Sequence, residues 1–199
     1  MPPRMIVVAG PPGSGKSTLF PVSSFGVDFF NADDRAAVLN GGSYHHISLD
    51  IRAKVNGEFE AFVLDHIAGK RSFALETTLR SVVTFEQADA ARKAGFRVEM
   101  LYVALREFDL NMQRVSARAR AGGHAASPYL LLKMYRASLD NLPRAIRKMD
   151  WIEVLDNSDW GGEPTPVLSA VSGRITYCAP DPPQWFVQAL SSSEFARYL

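Results

Sequence analysis

The sequence contains little cysteine and no long apolar run, and both absences narrow what the chain can be. Cys178 is the single cysteine among 199 residues, so an internal disulfide and a paired-cysteine zinc site are excluded. No apolar stretch approaches the roughly 20 residues that a membrane-spanning helix needs, and residues 5–9 lack the flanks of a signal peptide. We therefore expect a cytoplasmic protein without a membrane partner.

The sequence also has almost no excess of charge of one sign. The 22 Lys and Arg residues almost balance the 21 Asp and Glu residues, which gives a formal net charge of +1. This balance does not favour a polyanion, so we expect a small-molecule substrate and no nucleic-acid partner. The histidines at positions 45, 46, 66 and 124 show no ligand spacing with carboxylates or cysteine, so a structural metal is not expected.

Short apolar runs alternate with stretches of helical spacing along most of the chain. The runs at 5–9, 27–30, 73–75, 98–104 and 151–155 predict a mainly parallel, five-stranded sheet. Helices are predicted at 81–94, 107–121 and 128–148, and Pro143 should kink or divide the last of them. The pattern is typical of a three-layer α/β/α fold of the P-loop kinase type, and the length suits a single domain over 1–199.

The pattern changes after residue 157. A loop rich in glycine and proline is followed by alternation around Gly173, which predicts a hairpin at 167–178, and then by a short tail helix. We expect a core at 4–158 and a C-terminal hairpin and helix appendage at 159–199. The aromatic residues of the appendage either complete the core or present a partner surface; they are Trp185, Phe186, Phe195 and Tyr198.

A glycine-rich segment directly after the first predicted strand satisfies the pattern G-x-x-x-x-G-K-[ST] and opens a helix. Phosphates carry concentrated negative charge, so their site needs consecutive backbone N–H groups aimed inward, which glycines permit. The segment therefore predicts a phosphate-binding loop (P-loop), formed by Gly10, Pro11, Pro12, Gly13, Ser14, Gly15, Lys16, Ser17 and Thr18.

Two side chains of this loop carry its chemistry. Lys16 would place a positive charge at the β- and γ-phosphates, and Ser17 would give its hydroxyl to Mg²⁺. The helix that follows would offer the positive end of its dipole, although Pro21 should keep that helix short. Nothing later resembles the Asn-Lys-x-Asp segment that reads guanine. The expected ligands are therefore ATP and Mg²⁺.

Acidic residues follow the second predicted strand, at the end where open α/β sheets bind ligands. Asp33 is a candidate general base, which would take the proton of an acceptor hydroxyl during phosphoryl transfer. The alternative is structural, because Asn31, Asp33 or Asp34 could each cap the helix that follows.

Polar residues also follow the third predicted strand. Glu76 is expected to bind a substrate hydroxyl or a magnesium-bound water. Thr77 and Thr78 are expected to orient the substrate, and Arg80 to bind a pair of phosphate oxygens. The alternative interpretation is a threonine cap followed by a surface arginine.

The predicted helix at 107–121 carries three arginines. Arg114 and Arg118 are four residues apart and share one face, whereas Arg120 points elsewhere. The glycine loop after them, with His124 as a candidate substrate contact, resembles the lid of small nucleotide kinases, which closes arginines over the transferring phosphate. The alternative is an ordinary solvated basic face.

Several segments, taken in order, resemble the zeta toxin family of P-loop kinases across residues 4–158. They are the loop at 10–18, Asn31-Ala32-Asp33, Glu76-Thr77-Thr78-Leu79-Arg80, the arginines before Gly122-Gly123-His124, and residues 136–142, which begin with Arg136. The resemblance implies an enzyme that transfers the γ-phosphate of ATP to a sugar hydroxyl of UDP-N-acetylglucosamine or a related sugar nucleotide. It also implies an antitoxin as the partner protein.

The resemblance assigns roles to the candidate residues. Asp33 matches the general base of the family and Lys16 its phosphate-binding lysine, while Arg114, Arg118 and Arg120 match the lid, with Arg118 expected in catalysis. The remaining expected substrate contacts are Glu76, Thr77, Thr78, Arg80, His124 and Arg136.

Two other functions stay open. The chain is more compact than the best-known toxins and is similar to a short branch of the family, in which the acceptor could be another small metabolite such as a nucleoside or a nicotinamide dinucleotide. Alternatively, the chain is a non-catalytic ATP-binding regulatory module in which Asp33 and Glu76 cap helices.

Overall fold

The five predicted strands form the parallel part of one sheet in a computed structural model, which describes residues 1–120, 127–159 and 161–199. Two further strands follow them in the chain. The seven strands are β1 Arg4–Ala9, β2 Asp28–Phe30, β3 Phe73–Thr77, β4 Arg97–Ala104, β5 Trp151–Asp156, β6 Thr165–Val171 and β7 Arg174–Cys178.

The spatial order of the sheet is β2-β3-β1-β4-β5-β6-β7. Strand β1 pairs in parallel with β3 and β4, and every residue of β1 and β4 after the first is buried. Strands covered on both faces read as continuous apolar runs, which is why these two were visible in the sequence. The carboxyl ends of the five parallel strands meet at one edge of the sheet, where a ligand site is expected.

Helices connect the parallel strands. The described residues contain α1 Lys16–Leu19, α2 Ala32–Leu39, α3 Leu49–Ala68, α4 Val83–Lys93, α5 Phe108–Arg120, α6 Pro128–Asp140, α7 Leu142–Lys148 and α8 Gln184–Leu190, with short 3₁₀ turns at Val22–Phe25 and Ala196–Tyr198. None of the helices in this described part is long and apolar enough to cross a membrane.

The two proline predictions are confirmed. The helix predicted at 128–148 is divided into α6 and α7, and Pro143 lies in the first turn of α7. Helix α1 has only four residues and ends before Pro21. The 20-residue helix α3 was not predicted, because its buried residues Val55, Val63 and His66 form no strong apolar stripe.

The C-terminal hairpin continues the main sheet. Strand β6 is antiparallel to β5, and β7 is antiparallel to β6, so the predicted five parallel strands become part of a seven-stranded sheet. Trp185, Phe186 and Phe195 are buried in the main apolar core, whereas Tyr198 is 39% exposed. The aromatic residues of the tail therefore mostly complete the core, as the first of the two interpretations expected.

Candidate active site

The glycines of the P-loop are required by close backbone packing. Gly10 has φ +137°, and a Cβ atom built there would lie 2.0 Å from the carbonyl oxygen of Val103 in β4. Gly15 has φ +94°, and its Cβ would lie 2.3 Å from Asn157 Nδ2. At these two positions the loop lies against β4 and the residues after β5 with no room for a Cβ atom, and glycine also permits the positive φ angles.

Side chains bind the carbonyl groups of this loop. Lys16 Nζ donates to Gly10 O at 2.9 Å and to Pro11 O at 3.0 Å. Two asparagines from elsewhere in the chain bind two further carbonyls of the loop: Asn111 Nδ2 donates to Pro12 O at 2.7 Å and Asn157 Nδ2 to Ser14 O at 2.8 Å. The N–H groups of Gly13 and Gly15 share peptide bonds with Pro12 O and Ser14 O and point away from these two carbonyls, since a trans peptide orients the two groups in opposite directions.

The Lys16 ammonium lies among charged groups from three other elements. Its side chain is buried, and burial lowers its pKa from the usual value, while Glu76, with an oxygen at 3.8 Å, acts to raise it. Arg118 is near enough to lower this pKa further, and Asp33 near enough to raise it. The structure thus brings together four residues that the sequence singled out.

Ser17 and Glu76 place two oxygen groups side by side. Ser17 Oγ donates a hydrogen bond to Glu76 Oε2 at 2.9 Å. Among the described residues, no group of three His, Cys, Asp or Glu side chains could hold a metal ion by itself. A hydroxyl and one carboxylate suit Mg²⁺ bound together with a nucleotide, because this ion commonly takes one or two protein ligands and completes its shell with phosphate oxygens and water.

Asn31, and not Asp33, caps the helix that follows β2. Its side-chain oxygen accepts hydrogen bonds from the backbone N–H groups of Asp33 at 3.0 Å and Asp34 at 3.2 Å. Arg35 then fastens α2 to α3 through an ion pair of 2.6 Å with Glu58. The Asp33 carboxylate is therefore carried on an anchored helix turn without serving as its cap. Strand β2 lies beyond β3 and not directly beside β1, so Asp33 approaches Lys16 across the end of β3.

Tyr44 contacts the first turn of α2, which contains Asp33 and Asp34. Nothing in the sequence around Tyr44 predicted this contact. Its hydroxyl donates to Asp34 Oδ1 at 2.8 Å. That hydrogen bond raises the pKa of Tyr44, and Asp33 and Arg118 are close enough to shift this pKa in opposite directions. The loop between α2 and α3 thus contributes to the same edge of the sheet.

The three arginines of α5 lie in three different environments. Arg114 Nη2 donates to the carbonyl oxygen of Asn157 at 2.9 Å, and partial burial lowers the pKa of Arg114. Arg118 lies in electrostatic range of Lys16 and Tyr44. Arg120 is exposed at the last residue of the helix. His124, the predicted substrate contact, lies outside the described residues.

The remaining candidates are less closely connected to Lys16. Thr77 Oγ1 accepts a hydrogen bond from Leu79 N at 3.1 Å in a local turn. It caps no helix, because α4 begins at Val83 with Val82 at its N-cap, so the threonine cap of the structural alternative is not found at Thr77. Thr78 is half-buried, and Arg80 and Arg136 are exposed. Across the described parts of the chain, no hydrogen bond or ion pair links Arg80 or Arg136 to the residues around Lys16.

Comparisons with known proteins agree with this architecture. The chain matches the family described as an AAA domain over residues 5–142. An uncharacterized protein of Haemophilus influenzae is 29% identical over 122 residues, which are 61% of this chain and 84% of that protein.

Solved structures show the same fold. A chain of the AvrRxo1-ORF1:AvrRxo1-ORF2 complex with ATP superimposes with a TM-score of 0.66 at 16% identity, covering 87% of this chain and 60% of that one. A chain of the PezAT chromosomal toxin–antitoxin system of Streptococcus pneumoniae gives a TM-score of 0.65 at 17% identity, covering 89% and 74%. The present chain thus spans less than two thirds of the AvrRxo1 chain that it matches.

The family match covers more than half of the chain, and it includes the P-loop, the strands β1 to β4 and the helix that carries the arginines. The chain therefore belongs to the AAA domain family and has the P-loop NTPase-like α/β fold, with a mostly parallel central sheet.

Proposed function

We propose that the protein is an ATP- and Mg²⁺-dependent kinase that transfers the γ-phosphate to a hydroxyl group of a sugar nucleotide, UDP-N-acetylglucosamine or a related compound. The observation that carries the proposal is the position of Asp33. This carboxylate does not cap its helix, yet it lies within electrostatic range of the P-loop lysine.

The reaction needs a base, a positive environment for the phosphates and an oriented acceptor. Asp33 would accept the proton of the acceptor hydroxyl. The hydroxyl oxygen would bond to the γ-phosphorus while the bond between the γ-phosphorus and the ADP oxygen breaks. Lys16 would leave the carbonyls of Gly10 and Pro11 for the β- and γ-phosphates, and Arg118 would stabilise the negative charge from the side of α5.

Ser17 and Glu76 would hold Mg²⁺ at the same place. The ion, when bound, would supply positive charge beside the phosphate oxygens. In the present arrangement the Ser17 hydroxyl donates to Glu76, so the two oxygens already lie within hydrogen-bond distance of each other. Glu76 therefore belongs to the metal and phosphate side of the site, with the acceptor beyond it towards Asp33.

The acceptor class is proposed from the resemblance of Glu76-Thr77-Thr78-Leu79-Arg80 to the sugar-nucleotide segment of zeta toxins. An antitoxin-like partner is proposed on the same basis, and two of the proteins with this fold are named as members of toxin–antitoxin or ORF1:ORF2 complexes. Thr78 and Arg80 would contact the acceptor, because Thr77 is already engaged in a local turn.

The variant Asp33→Asn tests the proposal. We expect it to abolish phosphate transfer from labelled ATP to a panel of UDP-sugars while ATP still binds. Its free energy of unfolding should stay within about 0.5 kcal/mol of wild type, since Asp33 does not cap α2.

Asn31→Ala is the matched control. Loss of the cap should lower the free energy of unfolding by about 1 kcal/mol, while transfer at a temperature where the variant is folded persists at a reduced rate. Normal transfer by Asp33→Asn would remove Asp33 from the mechanism. Labelling of a nucleoside or dinucleotide in place of UDP-sugars would show that the acceptor belongs to another class of metabolite. Tight ATP binding without any labelled acceptor would support the non-catalytic regulatory module.

A further inference from the structure

The P-loop is held by two asparagines that the proposed reaction does not use. Asn157 binds Ser14 O, and this contact is buried. All peptide bonds of the described chain are trans, so fixing the carbonyl of Ser14 also fixes the N–H of Gly15, which points the opposite way. That N–H belongs to the row of donors that cradle phosphates.

Asn157 connects the loop with two other elements. Its backbone N–H donates to Ala104 O at the end of β4, and its carbonyl accepts from Arg114 of α5, both at 2.9 Å. The residue is 9% exposed. Three polar groups of one residue thus set the distances between the P-loop, the central sheet and the helix that bears the arginines.

Asp156 continues this network towards the tail of the chain. Its Oδ2 accepts a buried hydrogen bond of 2.7 Å from Trp185 Nε1 in α8, and its Oδ1 accepts from Ser158 N at 2.8 Å. Trp185 is 2% exposed, so its N–H depends on Asp156 for a partner. Asp156 precedes Asn157 directly, and its bonds to Trp185 and to the N–H of Ser158 hold the backbone on both sides of Asn157, which aims the Asn157 amide.

We infer that Asn157 is a positioning residue for the nucleotide, and that helix α8 acts on nucleotide binding through Trp185, Asp156 and Asn157. The inference rests on the nucleotide-binding part of the proposed function. Lys16 must exchange its loop carbonyls for phosphates, whereas Asn157 can keep its bond throughout. Both Asn157 and Trp185 lie beyond the residues that match the family, so this support is a feature of the chain's own C-terminal part.

The first test is Trp185→Phe, which keeps an aromatic ring in the core and removes the N–H donor. Titration of the full chain with a fluorescent ATP analogue, without acceptor, should show a dissociation constant raised about threefold to tenfold, the range of one buried hydrogen bond. Trp151→Phe is the matched control. It changes the same residue type at the opposite end of β5 and should leave the dissociation constant unchanged.

The second test is Asn157→Ala, which removes the amide itself. The dissociation constant should rise about tenfold, and hydrogen exchange at the backbone amides of residues 13–17 should become faster, both at a temperature well below the unfolding midpoint. Trp185→Phe should accelerate exchange at the same amides to a smaller extent. A purely structural role would lower the unfolding midpoint without changing nucleotide affinity in the folded variants.

The outcomes separate this inference from the proposed kinase. If the wild-type protein binds the ATP analogue but labels no acceptor, the proposed kinase activity is contradicted. The titrations would still test the role of Asn157 and Trp185 in nucleotide binding. Unchanged dissociation constants and unchanged loop exchange in both variants would overturn the inference. A wild type that binds no nucleotide would overturn both proposals.

Discussion

At the scale of single residues, Gly10 has no room for a Cβ atom between the P-loop and the central sheet. Its φ is positive, and a side chain there would meet the backbone of Val103, which cannot move without disturbing β4. Gly26 also has a positive φ, of +67°, but nothing lies within 4 Å of its Cβ position. Gly26 therefore reports the cost of a left-handed backbone alone, whereas Gly10 combines a φ outside the left-handed region with a clash.

We predict that Gly26→Ala lowers the free energy of unfolding by about 1–2 kcal/mol, the cost of a left-handed backbone for a residue with a Cβ. Gly10→Ala should cost more than about 3 kcal/mol or leave no folded protein, because the clash adds to that strain. Urea unfolding of both variants measures the difference. Equal losses would show that the loop can move away from β4.

The residues of the site differ in how readily they could be predicted from the sequence. The P-loop could be predicted because its glycines, lysine and serine keep a fixed spacing after a strand. Asn111, Asn157 and Tyr44 could not, since each acts alone and reaches the site only through the fold. A side chain that binds a backbone carbonyl needs only a donor group at the right distance, and many residue types can supply one. No spacing in the sequence therefore identifies such a residue.

At the scale of elements, α4 and α7 are joined by a shared carboxylate. Asp89 of α4 accepts hydrogen bonds from Lys148 of α7 and from Arg92 of its own helix. These bonds, that of Lys148 foremost, hold the pKa of Asp89 below its usual value. A carboxyl whose pKa is lower in the folded state stabilises the fold above its unfolded pKa, and this contribution is lost as the pH falls through the folded pKa.

Asp89→Asn should therefore lower the free energy of unfolding at neutral pH by about 0.5–1 kcal/mol, the range for partly exposed ion pairs. The difference from wild type should shrink as the pH falls below the ordinary aspartate pKa of about 3.9, because the unfolded chain then binds a proton that the folded carboxyl, with its lowered pKa, takes up only at lower pH. Denaturation curves across this pH range provide the measurement. Asp65→Asn, which removes a more exposed pair with Arg71, should change stability less; a pH-independent loss at Asp89 would argue against the ion pair.

Elements were predictable to different degrees for physical reasons. Strands β1 and β4 are buried on both faces and leave long apolar runs, whereas β2 has three residues and lies at the edge. Helix α3 packs through a few scattered buried residues, so its sequence has only a weak apolar periodicity and the helix was not predicted. The strand order could not be derived from the sequence, because apolar runs do not record which strands are neighbours in space.

At the scale of the whole molecule, the tail is part of the core. Phe186 is fully buried in the main apolar cluster, which also contains residues of β1, β3, β4 and β5. The described residues of the tail therefore share one packing unit with the P-loop core. A single cooperative unfolding transition is expected for such an arrangement.

We predict that Phe186→Ala lowers the free energy of unfolding by about 3–5 kcal/mol, as large-to-small changes in cores do. Tyr198→Ala, at a side chain 39% exposed, should cost less than about 1 kcal/mol. Circular dichroism and tryptophan fluorescence, followed during urea denaturation, should give coincident curves for wild type. Separate transitions would show that the C-terminal part unfolds as a unit of its own.

The hydrogen bond between Trp185 and Asp156 has a consequence for the order of events at the ribosome. Translation delivers the amino-terminal part of a chain first, so every residue of the P-loop motif emerges long before α8 does. Strand β5 can join the sheet as it appears, but Asp156 waits for its partner until the tail helix has been made. The nascent chain therefore carries the complete motif before α8 can support it, and the nucleotide site matures only after α8 has been made.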